Sequence, residues 1–307
     1  MVNIKYKEFE GEFVKECPCS PEAVSCGYYN LNLHTGCPYS CTYCILQAYL
    51  DSKEPVFYTN IEIAIKHLEK IAKSEKYVRI GTGELSDSLA FDRETDTTET
   101  LLKIFRKFPE IIFEFKTKSV NIEKLLKVKP EKNIIISWSL NPQMIIEREE
   151  IAAPSLKERL AAIKKVINYG YKIGIHFDPL ILTSGWRELY RELIEDISKT
   201  VNKKRIAWWS LGSLRFPESL KTHIMKHSGS RLFDGELIKT QDGKYRYFKP
   251  LKIELYKFIR DEIRLKVGKD TPLYLCMEDR EVWEEIFPEL EPDRESINRY
   301  LYKNTFK

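Results

Sequence analysis

Nowhere in the 307 residues is there a run approaching the roughly 20 consecutive apolar residues that span a bilayer. The opening MVNIKYKEFEGEF also has no apolar stretch of signal-peptide length. No membrane partner is expected, and the chain reads as cytoplasmic. Proline (14) and glycine (13) are sparse and unclustered, so no flexible linker divides the chain, and no low-complexity tract or residue repeat is present. Charge of one sign is scarce as well. A net charge of +4 neither demands a nucleic-acid partner nor excludes one, because such binding depends on clustering of Lys and Arg rather than on their total. Cysteine is rare, with seven in all, but six of the seven lie before residue 45. In a reducing compartment an odd, clustered set of thiols points to metal or redox chemistry rather than structural disulfides.

What the chain does have is a repeat of pattern. Short β-branched runs at 29–35, 77–83, 111–118, 133–140, 172–182 and 205–214 alternate with amphipathic helical stretches. The clearest helix is expected over 155–169, where Ser155 and Glu158 form a capping box, Leu156, Leu160, Ile163 and Ile167 recur on one face, and Gly170 ends it. Six such cycles imply an α/β fold with parallel strands, either a doubly wound sheet or a barrel, complete or partial. Beyond them, 235–250 reads as two strands about the turn dipeptide Asp242-Gly243. A Lys/Arg-rich helix (253–267), a short strand PLYLCM and a last helix around Trp283 follow. The expected organisation is an N-terminal Cys-containing segment (1–28), the α/β barrel (29–228) and a C-terminal hairpin and helical extension (229–307).

The sequence HTGCPYSCTYCILQAYL places Cys37, Cys41 and Cys44 at C-x3-C-x2-C spacing just after the first strand. Structural zinc commonly takes four ligands as two separated pairs, and no second C-x2-C is present. A 4Fe-4S cubane held by three thiolates leaves one iron open to another ligand.

This spacing, with the aromatic Tyr43 before the third cysteine, resembles the signature of the radical S-adenosylmethionine (SAM) superfamily. The resemblance implies a 4Fe-4S cluster on Cys37, Cys41 and Cys44 whose open iron chelates SAM. Reduced, such a cluster cleaves SAM to methionine and a 5'-deoxyadenosyl radical, and a flavodoxin- or ferredoxin-type protein supplies the electron. It also implies a partial (β/α)6 TIM barrel of the radical SAM type, with Tyr43, Gly83 and Glu84 of GTGE at the SAM site. CTYCILQAYL, ELSDSLA, FKTK, SWSLN and GIHFDPLILTSGW, in that order, resemble the spore photoproduct lyase family, which reverses a thymine lesion in DNA. Carried over, Ser86, Lys118 and Ser139 become SAM contacts, and DNA or another nucleic acid becomes the expected partner.

Two departures stand out. Where the lyases carry a hydrogen-donating cysteine this chain has Glu84, and where they carry a tyrosine after the third cluster cysteine it has Ile45. Cys276, at the end of PLYLCM, is the candidate replacement donor; its alternative is a small buried hydrophobe. His176 and Asp178, on one side of the fifth strand, are candidate catalytic groups or else hydrogen-bond each other in a buried polar layer. Trp186 lines the mouth or covers the core. Cys17, Cys19 and Cys26 form a second thiol group without an assigned role. Lys239, Lys244, Arg246 and Lys249, interleaved with Tyr245, Tyr247 and Phe248, suit phosphates and bases, or a hairpin packed on its own barrel. Two further readings stay open: the same cofactors acting on RNA, a nucleotide or a small molecule, and a non-catalytic iron–sulfur redox sensor.

Overall fold

A computed structural model describes residues 3–50, 54–227 and 230–306. One curled, open sheet of eight strands organises the molecule: β1 (Val14–Glu16), β2 (Tyr28–Leu31), β3 (Val78–Thr82), β4 (Ile111–Thr117), β5 (Ile134–Ser139), β6 (Lys172–Leu180), β7 (Ile206–Ser213) and β8 (Leu273–Leu275). Spatial order follows chain order. Every neighbouring pair is parallel except β1 with β2. The fold is therefore a partial barrel, as expected. Ile111 to Phe115 are buried without alternation, as are all residues of β5 and β7, because a parallel sheet covered by helices has no wet face.

Most predicted elements stand within a residue or two of their positions. The helix Leu156–Tyr169 carries the full capping box, with Ser155 accepting from the Glu158 amide and Glu158 from Ser155, and Gly170 ends it at φ +122°. Ser155→Ala is expected to lower stability by about 1 kcal/mol, measured by urea denaturation, because the Glu158 amide loses its acceptor and the Glu158 carboxylate loses the hydroxyl that helps aim it.

Three differences have physical causes. Between β4 and β5 there is no helix, only the single 3-10 turn Leu125–Lys127, since Pro130 cuts the segment short. The first predicted strand divides: Tyr28–Leu31 enters the main sheet, and His34–Thr35 pairs instead with Val56–Tyr58. PLYLCM is not an appendage but the last strand of the main sheet, pairing with β7 through Trp209–Leu273, Ser210–Tyr274 and Leu211–Leu275. A final helix, Arg294–Thr305, escaped the sequence reading. It closes the N-terminal end of the barrel, where Asn298 donates to the Tyr77 carbonyl (2.6 Å), accepts from Arg79 Nε (3.0 Å), and Lys172 donates to the Thr305 carbonyl (2.6 Å).

The open side of the sheet is crossed by the segment 17–27. It leaves β1 and bonds to the far edge: the Val24 amide donates to the Glu278 carbonyl (2.9 Å), Ala23 bridges Asp279, and Ser20 Oγ accepts from Arg246 (3.2 Å). Among the described residues no helix is long and apolar enough to cross a membrane.

Candidate active site

At the C-terminal ends of the strands lies a cavity of about 440 Å3, the place where barrel folds build their sites. Cys37, Cys41, Tyr43, Cys44, Gly83, Glu84, Ser86, Lys118, Ser139, His176, Asp178 and Cys276 all line it. The cluster, SAM and catalytic candidates from the sequence are thus on one wall or another of a single chamber.

The loop bearing Cys37, Cys41 and Cys44 is fastened at several points. The Gly36 amide donates to the Leu85 carbonyl (3.0 Å), Ser40–Cys41 pairs with Glu150–Ile151, and Thr42 donates to the Glu149 carboxylate (2.6 Å). Beneath it Glu150 accepts from the Tyr43 hydroxyl, from Asn141 (3.0 Å) and from Arg159 (2.5 Å), all buried. Lys118 lies with its ammonium 5.6 Å from the centre of the Tyr43 ring. Burial works against the Lys118 charge, but Glu150 and the Cys41 and Cys44 thiols beside it hold its pKa up. Burial first, and Asp87 second, push the Cys37 thiol up to about 12. Among the described residues no three Cys, His, Asp or Glu side chains converge on one metal ion. The donor set of three thiols on one loop, with a cation behind it, fits a polynuclear cluster whose irons each take one thiolate. The chain does hold one histidine pair at H-x3-H spacing, His223 and His227 on the helix Glu218–His227.

Opposite the thiols, β3 runs out into Gly81-Thr82-Gly83-Glu84. Gly83 has φ +104°, and a Cβ there would meet the Lys116 carbonyl at 2.8 Å, so only glycine fits. Glu84 accepts from Asn32 Nδ2 at 2.7 Å and is aimed by it. Asp87, within ELSDSLA but given no role by the sequence, ties this loop to the end of β4. Its carboxylate accepts from Thr117 Oγ1 (2.5 Å) and from the amides of Lys118 (2.6 Å) and Leu89 (3.0 Å). Burial pushes its pKa up against those hydrogen bonds.

The floor holds a carboxylate that the sequence reading missed. Glu114, 1% exposed, accepts from the Tyr28 and Ser137 hydroxyls, from His176 Nε2 (2.8 Å) and from Trp208 Nε1 (3.2 Å). Burial alone would raise its pKa, but His176 and these donors hold it at about 2. A lone acid in the apolar run IIFEF was the available signal. His176 and Asp178 do not bond each other: His176 serves Glu114, while Asp178 takes a bidentate pair from Arg215 (3.0 and 3.3 Å). That pair holds the Asp178 carboxyl well below the usual range despite burial. Arg215 also donates to Cys276 Sγ at 3.7 Å.

Trp186 lines no part of the chamber and packs edge-on against Phe258 (5.1 Å). The hairpin is mostly self-satisfied rather than a free basic face. Arg246 pairs with Asp242 (2.7 Å), Lys239 with Glu218 (2.6 Å) and Lys249 with Glu281 (2.6 Å), while Tyr245 stacks on Phe216. Phe248 is 44% exposed, and Lys244 faces the cavity.

Comparison with known proteins decides the family. The sequence profile of spore photoproduct lyase matches residues 20–268. The chain belongs to the spore photoproduct lyase family. The lyase of Clostridium acetobutylicum is 29% identical over 268 residues, covering 84% of this chain and 78% of that protein, and the Bacillus subtilis lyase is 28% identical over 172 residues, covering 55% and 50%. Among solved structures, a spore photoproduct lyase complexed with dinucleoside spore photoproduct superposes with a TM-score of 0.79 at 23% identity, covering 89% of this chain and 82% of that one. A spore photoproduct lyase double mutant with bound AdoMet and the dinucleoside superposes with a TM-score of 0.75 at 22% identity, covering 89% and 81%. The partial barrel is shared with both, and family membership makes the protein a radical SAM enzyme.

Proposed function

We propose that the protein repairs a thymine lesion of the spore photoproduct type, using SAM bound against a 4Fe-4S cluster on Cys37, Cys41 and Cys44. The observation that supports this most is the convergence of the thiols, the GTGE turn, Ser86, Lys118 and Ser139 on one chamber. When bound, the reduced cluster and SAM supply a 5'-deoxyadenosyl radical, chemistry that belongs to the cofactors. The protein's part is to hold, orient and shield.

Glu84, aimed by Asn32, accepts from the SAM ammonium, and Gly83, which lacks the Cβ that would strike the Lys116 carbonyl, lets the turn that carries it pack on β4. Lys118 sets a cation for the SAM carboxylate beside the cluster thiols. Tyr43, its hydroxyl anchored on Glu150, presents its ring to the chamber. Ser86 and Ser139 complete the polar wall. His176, fixed through Nε2 by Glu114, and Asp178, fixed by Arg215, shape the floor where a base extracted from the duplex would sit. Lys244 at the cavity is the cation placed for the substrate backbone. An external one-electron donor of flavodoxin or ferredoxin type reduces the cluster.

Glu84→Ala is expected to weaken SAM binding roughly 10- to 100-fold, the loss of one charge-assisted hydrogen bond. Equilibrium binding measures it, and unchanged affinity removes Glu84 from the site. The function itself is tested with reduced protein, SAM and a dinucleotide spore photoproduct, where restored thymines are expected. Deoxyadenosine without thymines would overturn the substrate and leave the cofactor chemistry standing, with RNA, a nucleotide or a small molecule as substrate.

A further inference from the structure

We propose that Cys17, Cys19, Cys26 and Cys276 bind a second iron–sulfur cluster, set in the open seam of the half-barrel. The four thiols are the whole of the cysteine content outside Cys37, Cys41 and Cys44. Three come from the irregular segment that crosses the open side, and the fourth directly follows β8, two residues before Glu278 and three before Asp279, to which that segment bonds. Cys17, Cys26 and Cys276 line the cavity. The Cys17 and Cys19 thiols stand close enough to act on each other's protonation, and Cys19 also stands within electrostatic reach of Cys26 and Cys276.

Two features favour a metal centre over four unrelated thiols. The segment has no regular structure of its own, and its backbone hydrogen bonds to the far edge amount, among the described residues, to the Val24 amide and the Ala23–Asp279 bridge. Four thiolates on one centre would join the two edges of the sheet here and hold the seam closed. The thiols also sit among cations. Arg215 donates to Cys276, Lys244 lies beside Cys19, and Lys116 lies beside Cys17 and Cys276, with Asp178 offsetting part of Arg215. A thiolate-bound centre carries excess negative charge, and this surrounding offsets it. Zinc would take four sulfurs at a single ion and a cluster takes its thiolates at separate irons, so metal and sulfide content tell the two apart.

The site has a chemical consequence, which rests on the repair reading. A thiolate bound to iron has no S–H, so Cys276 is then not a hydrogen-atom donor. With Glu84 in the family's cysteine position, the product carbon radical instead takes one electron from the seam cluster and one proton from the ammonium of Lys116, which lines the cavity. Together these form the C–H bond, and the external one-electron donor re-reduces the cluster.

The test uses the full chain, reconstituted anaerobically with iron and sulfide. Wild type is expected to hold the iron and acid-labile sulfide of two clusters. The Cys37→Ala/Cys41→Ala/Cys44→Ala variant is expected to keep half, with a reduced-state EPR signal that SAM does not alter. Cys17→Ala/Cys19→Ala is expected to keep the other half, with a SAM-sensitive signal, and still to form deoxyadenosine. Loss of that activity along with the metal is not predicted, so the seam site and the SAM site fail separately. A wild-type chain holding a single cluster, or a seam that takes up only zinc, overturns the proposal. So does a triple variant with native circular dichroism and no iron.

Discussion

Cys41→Ala is expected to abolish deoxyadenosine formation from SAM under reducing conditions, bringing it to the level of protein without iron. A cubane takes its protein ligands as single thiolates at separate irons, and two thiols on a loop cannot hold it. Cys41 is also the best fastened of the three. It is 5% exposed, its backbone pairs with Glu150, and Gln47 caps its carbonyl. The loop should therefore keep its shape in the variant, and the loss should be chemical rather than structural. Anaerobic turnover followed by chromatography of the nucleoside measures it, with melting temperature as the control. Activity surviving in Cys41→Ala would remove this loop from the cofactor site.

The second large effect is on stability. Glu114→Leu is expected to destabilise the fold by roughly 3–5 kcal/mol, because it leaves Tyr28, Ser137, His176 and Trp208 without their acceptor inside the barrel. For a chain of this size that is a fall in melting temperature of about 5–8 °C. The pH dependence has a definite sign. The Glu114 carboxyl is held at about 2 in the folded state against an ordinary 4.5. Its contribution is thus fully present above about pH 4.5 and drains away as pH falls toward 2. Thermal melts between pH 7 and 3 should show a steeper acid loss in wild type than in Glu114→Leu. Equal slopes would mean that Glu114 is not ionised in the fold.

Much of this was legible in sequence because it depends on local rules. The six strands stood out as β-branched runs, the helix 156–169 through its capping box, and the cofactor loop through the spacing of three cysteines. What stayed hidden depends on contacts between distant positions. Glu114 reads as one acid in a strand until the barrel brings Tyr28, Ser137, His176 and Trp208 around it from four other strands. Glu150 looks like any surface acid until Arg159 and Tyr43 close over it. His176 and Asp178 share a face, as period two requires, but partners from β4 and from Arg215 beyond β7, not their own proximity, decide what each bonds. The basic hairpin stayed ambiguous for the same reason: composition shows Lys and Arg, and only the fold shows Asp242, Glu218 and Glu281 beside them. Arg294–Thr305 was missed because a polar helix with few apolar positions hides the face it turns to the barrel end.

At the centre of the account is the absent fourth cysteine as the place where SAM binds. The most direct measurement is magnetic coupling between the reduced cluster and SAM labelled at its amino nitrogen and carboxylate oxygen. Coupling to both labels is predicted in wild type, with the nitrogen coupling weakened or lost in Glu84→Ala. A fully assembled cluster that shows no coupling to either label would contradict the account.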